Sequence, residues 1–105
     1  MDSQVRYEQQ RVHVNGEMTV YTCGELKPQL LAQLTEHADA TELELSRVTE
    51  IDTAGLQILL TARRHASDLG REMRVVNPSR AVTEVLELCR LTDLLVASAA
   101  AAEAP

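Results

Sequence analysis

Ile51-Asp52-Thr53-Ala54-Gly55-Leu56-Gln57-Ile58-Leu59-Leu60 joins a short polar turn to an apolar run at helical spacing, and its reading decides the rest of the chain. Asp52 or Thr53 is placed to cap a helix by accepting a hydrogen bond from a first-turn backbone N–H, a contribution of about 1 kcal/mol. Gly55 lets a neighbouring segment approach the helix start closely. The helix then runs from about Ala54 to Leu69, with Leu56, Leu59, Leu60, Ala66 and Leu69 inward and Gln57, Arg63, Arg64 and Asp68 largely outward. Gly70 is its expected stop.

Working outward, Glu42-Leu43-Glu44-Leu45-Ser46 alternates polar and apolar residues over a strand's length, and Val48 and Ile51 carry that strand into the turn. Further upstream, Thr22-Cys23-Gly24-Glu25 has the form of a capping box. Pro28 removes a helical hydrogen bond past the first turn, which places the start of the regular helix near Lys27. Leu30, Leu31 and Leu34 share one face of that helix, with His37 or Ala38 extending it, and the polar stretch Asp39 to Thr41 ends it.

The segment Val5 to Thr22 has two readings. In one, Val5, Tyr7, Val12 and Val14 alternate, Asn15-Gly16 makes a hairpin turn, and Met18, Val20 and Tyr21 resume the alternation as the second of two antiparallel strands. In the other, residues 11 to 20 form a single strand with a glycine bulge.

Downstream, Met73 to Asn77 reads as a strand, and Pro78-Ser79 turns the chain into a helix near Arg80 to Cys89 that buries Val82, Val85, Leu86 and Cys89. Leu91, Leu94 and Leu95 close the fold as a strand or a turn of helix. Residues 1–96 make one domain, and 97–105 are an alanine-rich tail expected to be disordered. The order strand, strand, helix, strand, helix, strand, helix predicts an α/β fold. It should be a mixed sheet of four to five strands with helices mainly covering one face. Right-handed crossovers set the Asp52 turn at the carboxyl end of its strand.

Composition narrows the function. With 105 residues the chain supports a single core, and with two Tyr, no Phe and no Trp that core is aliphatic. A net charge of −6 and the lack of an aromatic stacking platform argue against nucleic acid as a partner. No signal-peptide core and no membrane-length apolar run is present, so a cytoplasmic protein is expected. Cys23 and Cys89 are expected to be buried or half-buried thiols, and His13, His37 and His65 lack ligand spacing, so neither a metal nor a cofactor is expected. Glu50, Asp52 and Thr53 cluster without a nearby histidine or lysine, and the sole lysine, Lys27, lies in the first helix region. The chain therefore reads as a non-enzyme.

Leu43-Glu44-Leu45-Ser46-Arg47-Val48-Thr49-Glu50-Ile51-Asp52-Thr53-Ala54-Gly55-Leu56 resembles the central segment of the STAS family, the domain shared by sulfate transporters and bacterial anti-sigma factor antagonists. The likeness in element order spans about Val12 to Leu95, and its specific part is the Asp-Ser/Thr-x-Gly-Leu turn. The resemblance implies a STAS-like fold and a regulatory binding module. In the antagonists the hydroxyl residue after the aspartate is phosphorylated by a partner serine/threonine kinase, which corresponds to Thr53. The unphosphorylated form binds that kinase, the anti-sigma factor. Asp52, Thr53, Ala54, Gly55 and Gln57 are then the expected partner-binding residues. Thr53 stands where the antagonists mostly carry serine, and Ala54 where a second hydroxyl is frequent. The Asp-Thr-Ala-Gly-Leu form, with Ser-Arg-Val before it, also resembles the STAS subunit of a phospholipid-transport ABC system. That alternative implies docking on the transporter's ATPase subunit.

Overall fold

The computed structural model describes residues 3–94. The proposed tail at 97–105 and the start of the chain before Ser3 lie outside the described residues, as does Leu95.

Strand β2 (Arg11–Met18) is the centre of a five-stranded sheet. Its residues alternate strictly: Val12, Val14, Gly16 and Met18 are buried, while Arg11, His13, Asn15 and Glu17 on the other face are half-exposed. Period-2 alternation of this kind turns one face to a core and leaves the other to water. Strand β1 (Gln4–Glu8) pairs antiparallel with β2 along one edge. On the other edge β3 (Glu42–Glu44) and β4 (Val48–Ile51) both run parallel to β2, and β5 (Arg74–Val76) lies beyond β3. The sheet is therefore mixed, as the sequence predicts.

The opening segment follows the single-strand reading with a glycine bulge. Gln9 and Gln10 make the antiparallel turn, both at positive φ (51° and 71°), and Asn15-Gly16 lies inside β2. Gly16 takes φ 91° where the β2–β4 register shifts, and its N–H donates to the Arg47 carbonyl at 3.0 Å. Glycine is needed here because a side chain disfavours that backbone conformation. Strand β2 ends at Met18, so Val20 and Tyr21 do not continue the alternation. They stand out in solvent, 65% and 91% exposed.

Helix α1 spans Cys23–Glu36, one turn earlier than Pro28 suggests. Pro28 sits within the helix and costs it one bond, that to the Gly24 carbonyl, and the burial of Leu26, Leu30 and Leu34 outweighs that loss. The capping box is not formed: the Thr22 side chain makes no cap bond.

Helix α2 (Thr53–Asp68) buries Leu56, Ile58, Leu59, Ala62 and Ala66. It stops as expected at Gly70, φ 78°, with Gly70 N–H donating to Ser67 and Arg71 N–H to Ala66, a Schellman arrangement. Leu69, expected inward, is 45% exposed because it sits at the cap, where the chain leaves the helical face.

Helix α3 (Arg80–Leu88) starts from a Ser79 side-chain cap to Val82 N–H and buries Val82 and Leu86. Cys89, expected to be buried, is exposed because the helix ends one residue before it. A single 3₁₀ turn, Thr92–Leu94, closes the described fold and buries Leu94.

Two tethers beyond the core fix the layers. Arg71 donates to the carbonyls of Leu34, His37 and Ala40, closing the carboxyl end of α1. Tyr7 donates to the Asp39 carboxylate, while its ring stacks on His37 with centroids 3.6 Å apart.

Candidate functional site

The carboxyl ends of β2 and β4 lie side by side, and each runs directly into a helix. The two connecting turns therefore share one edge of the sheet, where loops commonly carry function.

Asp52 holds them together. Its backbone N–H donates to the Met18 carbonyl at 3.2 Å. Its side chain accepts from Gly55 N–H at 3.1 Å, which caps α2, and from Val20 N–H at 2.9 Å, which fastens the neighbouring turn. These backbone donors, Val20 first and Gly55 next, hold the Asp52 carboxyl below the usual carboxylate range. Asp52 is thus ionised and fully occupied in structure.

Gly55 is buried under the turn. A Cβ there would collide with the Met18 carbonyl oxygen and come within 2.8 Å of Ile51 Cγ1. The glycine exists because the end of β2 passes directly over the first turn of α2, so its contribution to the surface is the close approach itself.

Thr53, by contrast, is exposed as the first residue of α2, and its hydroxyl has no hydrogen-bond partner among the described residues. Ala54 is half-buried, and Gln57, one turn on from Thr53, is exposed. Of the five expected partner-binding residues, then, Thr53 and Gln57 present side chains to solvent on one helix face, while Asp52 and Gly55 shape the turn.

The sequence reading missed the second turn. Thr22 Oγ1 accepts from Thr19 N–H at 2.9 Å and donates to the Glu17 carbonyl at 2.8 Å, so the hydroxyl that resembled a helix cap instead closes residues 19–22. This closed turn leaves Val20 and Tyr21 pointing outward, with Val20 N–H bonded to Asp52. The available signal was a Thr-x-x-Thr spacing with two apolar residues inside it. Cys23 follows directly; burial, and then the nearby Asp52 charge, push its thiol up, which disfavours the nucleophilic thiolate.

The remaining candidates are dispersed. His13 lies on β2, His37 stacks on Tyr7, and His65 bonds Thr35 at 2.8 Å. Among the described residues no group of three or more His, Cys, Asp or Glu is placed to hold a metal ion. Among them also, no helix is long and apolar enough to cross a membrane.

Comparison with known proteins agrees with this geometry. The family described as "Mlab, STAS domain" matches residues 2–97. A protein assigned as an anti-sigma factor antagonist from Thermotoga maritima shares the fold at a TM-score of 0.71 and 22% identity, over 89% of this chain and 82% of that one. The unphosphorylated form of the anti-sigma factor antagonist SpoIIAA superposes at a TM-score of 0.69 with 17% identity, over 89% of this chain and 84% of the other. Its phosphorylated form, from Bacillus, superposes at 0.62 with 15% identity, over 89% and 87%. No curated protein matches the chain with significant similarity.

Proposed function

The chain belongs to the STAS domain family, and on that premise we propose that it is a non-enzymatic regulatory module of the anti-sigma factor antagonist type. It docks a partner serine/threonine kinase through the start of α2 and is switched by phosphorylation at Thr53. The observation that carries this reading is the state of Thr53: an exposed hydroxyl without a partner among the described residues, on a turn that the neighbouring Asp52 ties to both the helix start and the β2 turn. A rigid turn with one accessible hydroxyl suits a kinase that must recognise a fixed surface.

The chemistry of the switch follows from the neighbours. A phosphate on Thr53 gains from the positive end of α2 but meets the Asp52 carboxylate and exposed Glu50. The added charge therefore acts chiefly on a docked partner, and the fold tolerates it. Exposed Val20 and Tyr21 supply apolar contact beside the hydroxyl, and Gln57 extends the same face.

The test is incubation with ATP and the kinase encoded nearest the gene, followed by phosphosite mapping and binding measurements. Phosphate on Thr53 and a loss of about tenfold or more in affinity for Thr53→Glu are expected. An unmodified Thr53 together with unchanged binding by Thr53→Glu would sink the switch.

A second reading is favoured by the Asp52-Thr53-Ala54-Gly55-Leu56 form of the turn and by the matched family's description. On this reading the chain is the STAS subunit that binds and supports the ATPase of a phospholipid-transport ABC system. It predicts copurification with an ATPase whose turnover falls in Thr53→Glu, without any phosphate on Thr53.

A further inference from the structure

At the opposite end of α2 from Thr53, a groove of about 720 Å³ opens between the last turns of the helix, the approach to β5 and the 3₁₀ turn. Its size lies within the range of small-molecule sites. Its charge is out of keeping with the rest of the chain: Arg63, Arg64, Arg71 and Arg74 line it, four of the ten basic residues of a protein with net charge −6. Leu60 and buried Met73 give it an apolar floor, and the Ser67 hydroxyl stands among the arginines.

The arginines differ in what already holds them. Arg71 is committed to the carbonyls that end α1. Arg63 pairs with Asp93 at 3.1 Å and Arg74 with Glu72 at 2.9 Å, and those two carboxylates are 69% and 82% exposed. Ion pairs this exposed are weak, so a better anion can take the Arg63 guanidinium from Asp93 at little cost. Arg64 is exposed and has no partner among the described residues. It lies three residues before Ser67 and Arg63 four before it, so all three project over one face of the helix.

We propose that this groove binds a small, soluble, phosphate-bearing molecule, with Arg64 and Ser67 as direct ligands and Arg63 recruited from its exposed carboxylate. A phosphate group carries more charge and more acceptor oxygens than a single carboxylate, so it can engage several arginine forks at once, and the apolar floor accommodates the body of the molecule. A membrane lipid headgroup is disfavoured because the rim carries Glu72 and Asp93, and an anionic bilayer repels a chain of net charge −6. The proposed ligands are independent of partner docking at Thr53, since Arg64 and Ser67 lie about ten or more helical residues from it, on the order of 15 Å or more along the axis.

The experiment titrates inorganic pyrophosphate, up to about 5 mM, into the isotopically labelled protein while amide resonances are followed. Saturable shifts centred on Leu60 to Arg74, weakened about tenfold or more in Arg64→Ala, are the expected result. Arg80→Ala, which removes an exposed charge elsewhere, should leave the affinity unchanged. Shifts absent throughout, or weakened as much by Arg80→Ala as by Arg64→Ala, overturn the proposal. Sedimentation with phosphatidic acid vesicles while pyrophosphate is silent also overturns it, since the ligand is then a lipid. Because Arg64 is exposed and unpaired, the variant's undisturbed resonances outside the groove serve as the check that it is folded.

Discussion

Helices α1 and α2 begin at the same edge of the sheet, one after a turn of hydroxyl side chains and the other after a carboxylate, and each has a glycine in its first turn. They are built in opposite ways. At α2 the preceding side chain caps the helix and the glycine is pressed against the end of β2. At α1 the preceding side chain turns away to close a loop, and the glycine faces open space. The difference shows that a sequence motif names the groups available at a helix start, while the packing around it decides what they hold. It also explains the candidate site: one rigid start presents Thr53, and one tied loop presents Val20 and Tyr21.

The sharpest way to break this contrast is Gly55→Ala. In an ordinary helix interior the change favours helix by about 1 kcal/mol. Here the new Cβ meets the backbone of Met18, which cannot move without disturbing the β2–β4 pairing, and the side chain of Ile51. We expect a net loss of about 3 kcal/mol in urea unfolding. A neutral or stabilised variant would mean that β2 and α2 do not approach as closely as described.

Asp52→Asn comes next. Asparagine keeps one acceptor oxygen, so it can serve either Gly55 or Val20 but sets an amide group against the other donor. The melting temperature at neutral pH should fall by roughly 5–10 °C. The pH dependence has a definite sign. Because the folded carboxyl titrates below its unfolded value of about 3.9, its contribution is complete above that value and is lost as pH falls through the folded one. The gap between wild type and Asp52→Asn should therefore be constant from neutral pH down to about 5 and narrow below about 4. Melting curves over that range test it.

Thr22→Val probes the other start. If Thr22 closed a capping box, the loss would appear as fraying of α1. Because it instead bonds Thr19 N–H and the Glu17 carbonyl, helical circular dichroism should stay unchanged. Stability should fall by about 1–2 kcal/mol, and amide exchange should quicken at residues 19–22. Fraying confined to α1 would restore the cap reading.

These substitutions mark where the sequence was legible. The start of α2 was readable because Asp52, Gly55 and the apolar run that follows agree on one outcome, and the Gly70 stop was readable because only glycine takes φ 78° without strain. The parallel strands and the mixed sheet followed from element order. The first turn was hidden: Gln9 and Gln10 carry no turn signal, yet both adopt positive φ, while Asn15-Gly16 carries a strong one and serves as a bulge. The interruption between β3 and β4 was equally silent, since Leu45 is buried like its strand neighbours, and the break shows only in the fold, where the Val48 N–H turns back to the Leu45 carbonyl and the Gly16 N–H reaches that of Arg47. At the candidate site, Thr53 read as a cap on the residues alone and stood out only through the family resemblance, while the outward position of Gln57 was legible from helical spacing. Val20 and Tyr21 were not, because alternation alone assigns them to a strand, and it is the Thr19–Thr22 closure that turns them outward.

Gly24→Ala is the smallest effect expected and the cleanest comparison with Gly55→Ala. Both changes add one methyl group in the first turn of a helix at the same edge of the sheet, and both reduce the freedom of the unfolded chain alike. At Gly24 a Cβ meets nothing within 4 Å, and the residue is exposed. The variant should therefore gain about 0.5 kcal/mol from helix propensity and chain entropy. Opposite signs for the two glycines would assign the Gly55 loss to contact with β2, because every other term is shared. A loss at both positions would mean that the first turn of α1 is also pressed from outside, and the contrast between the two helix starts would fail.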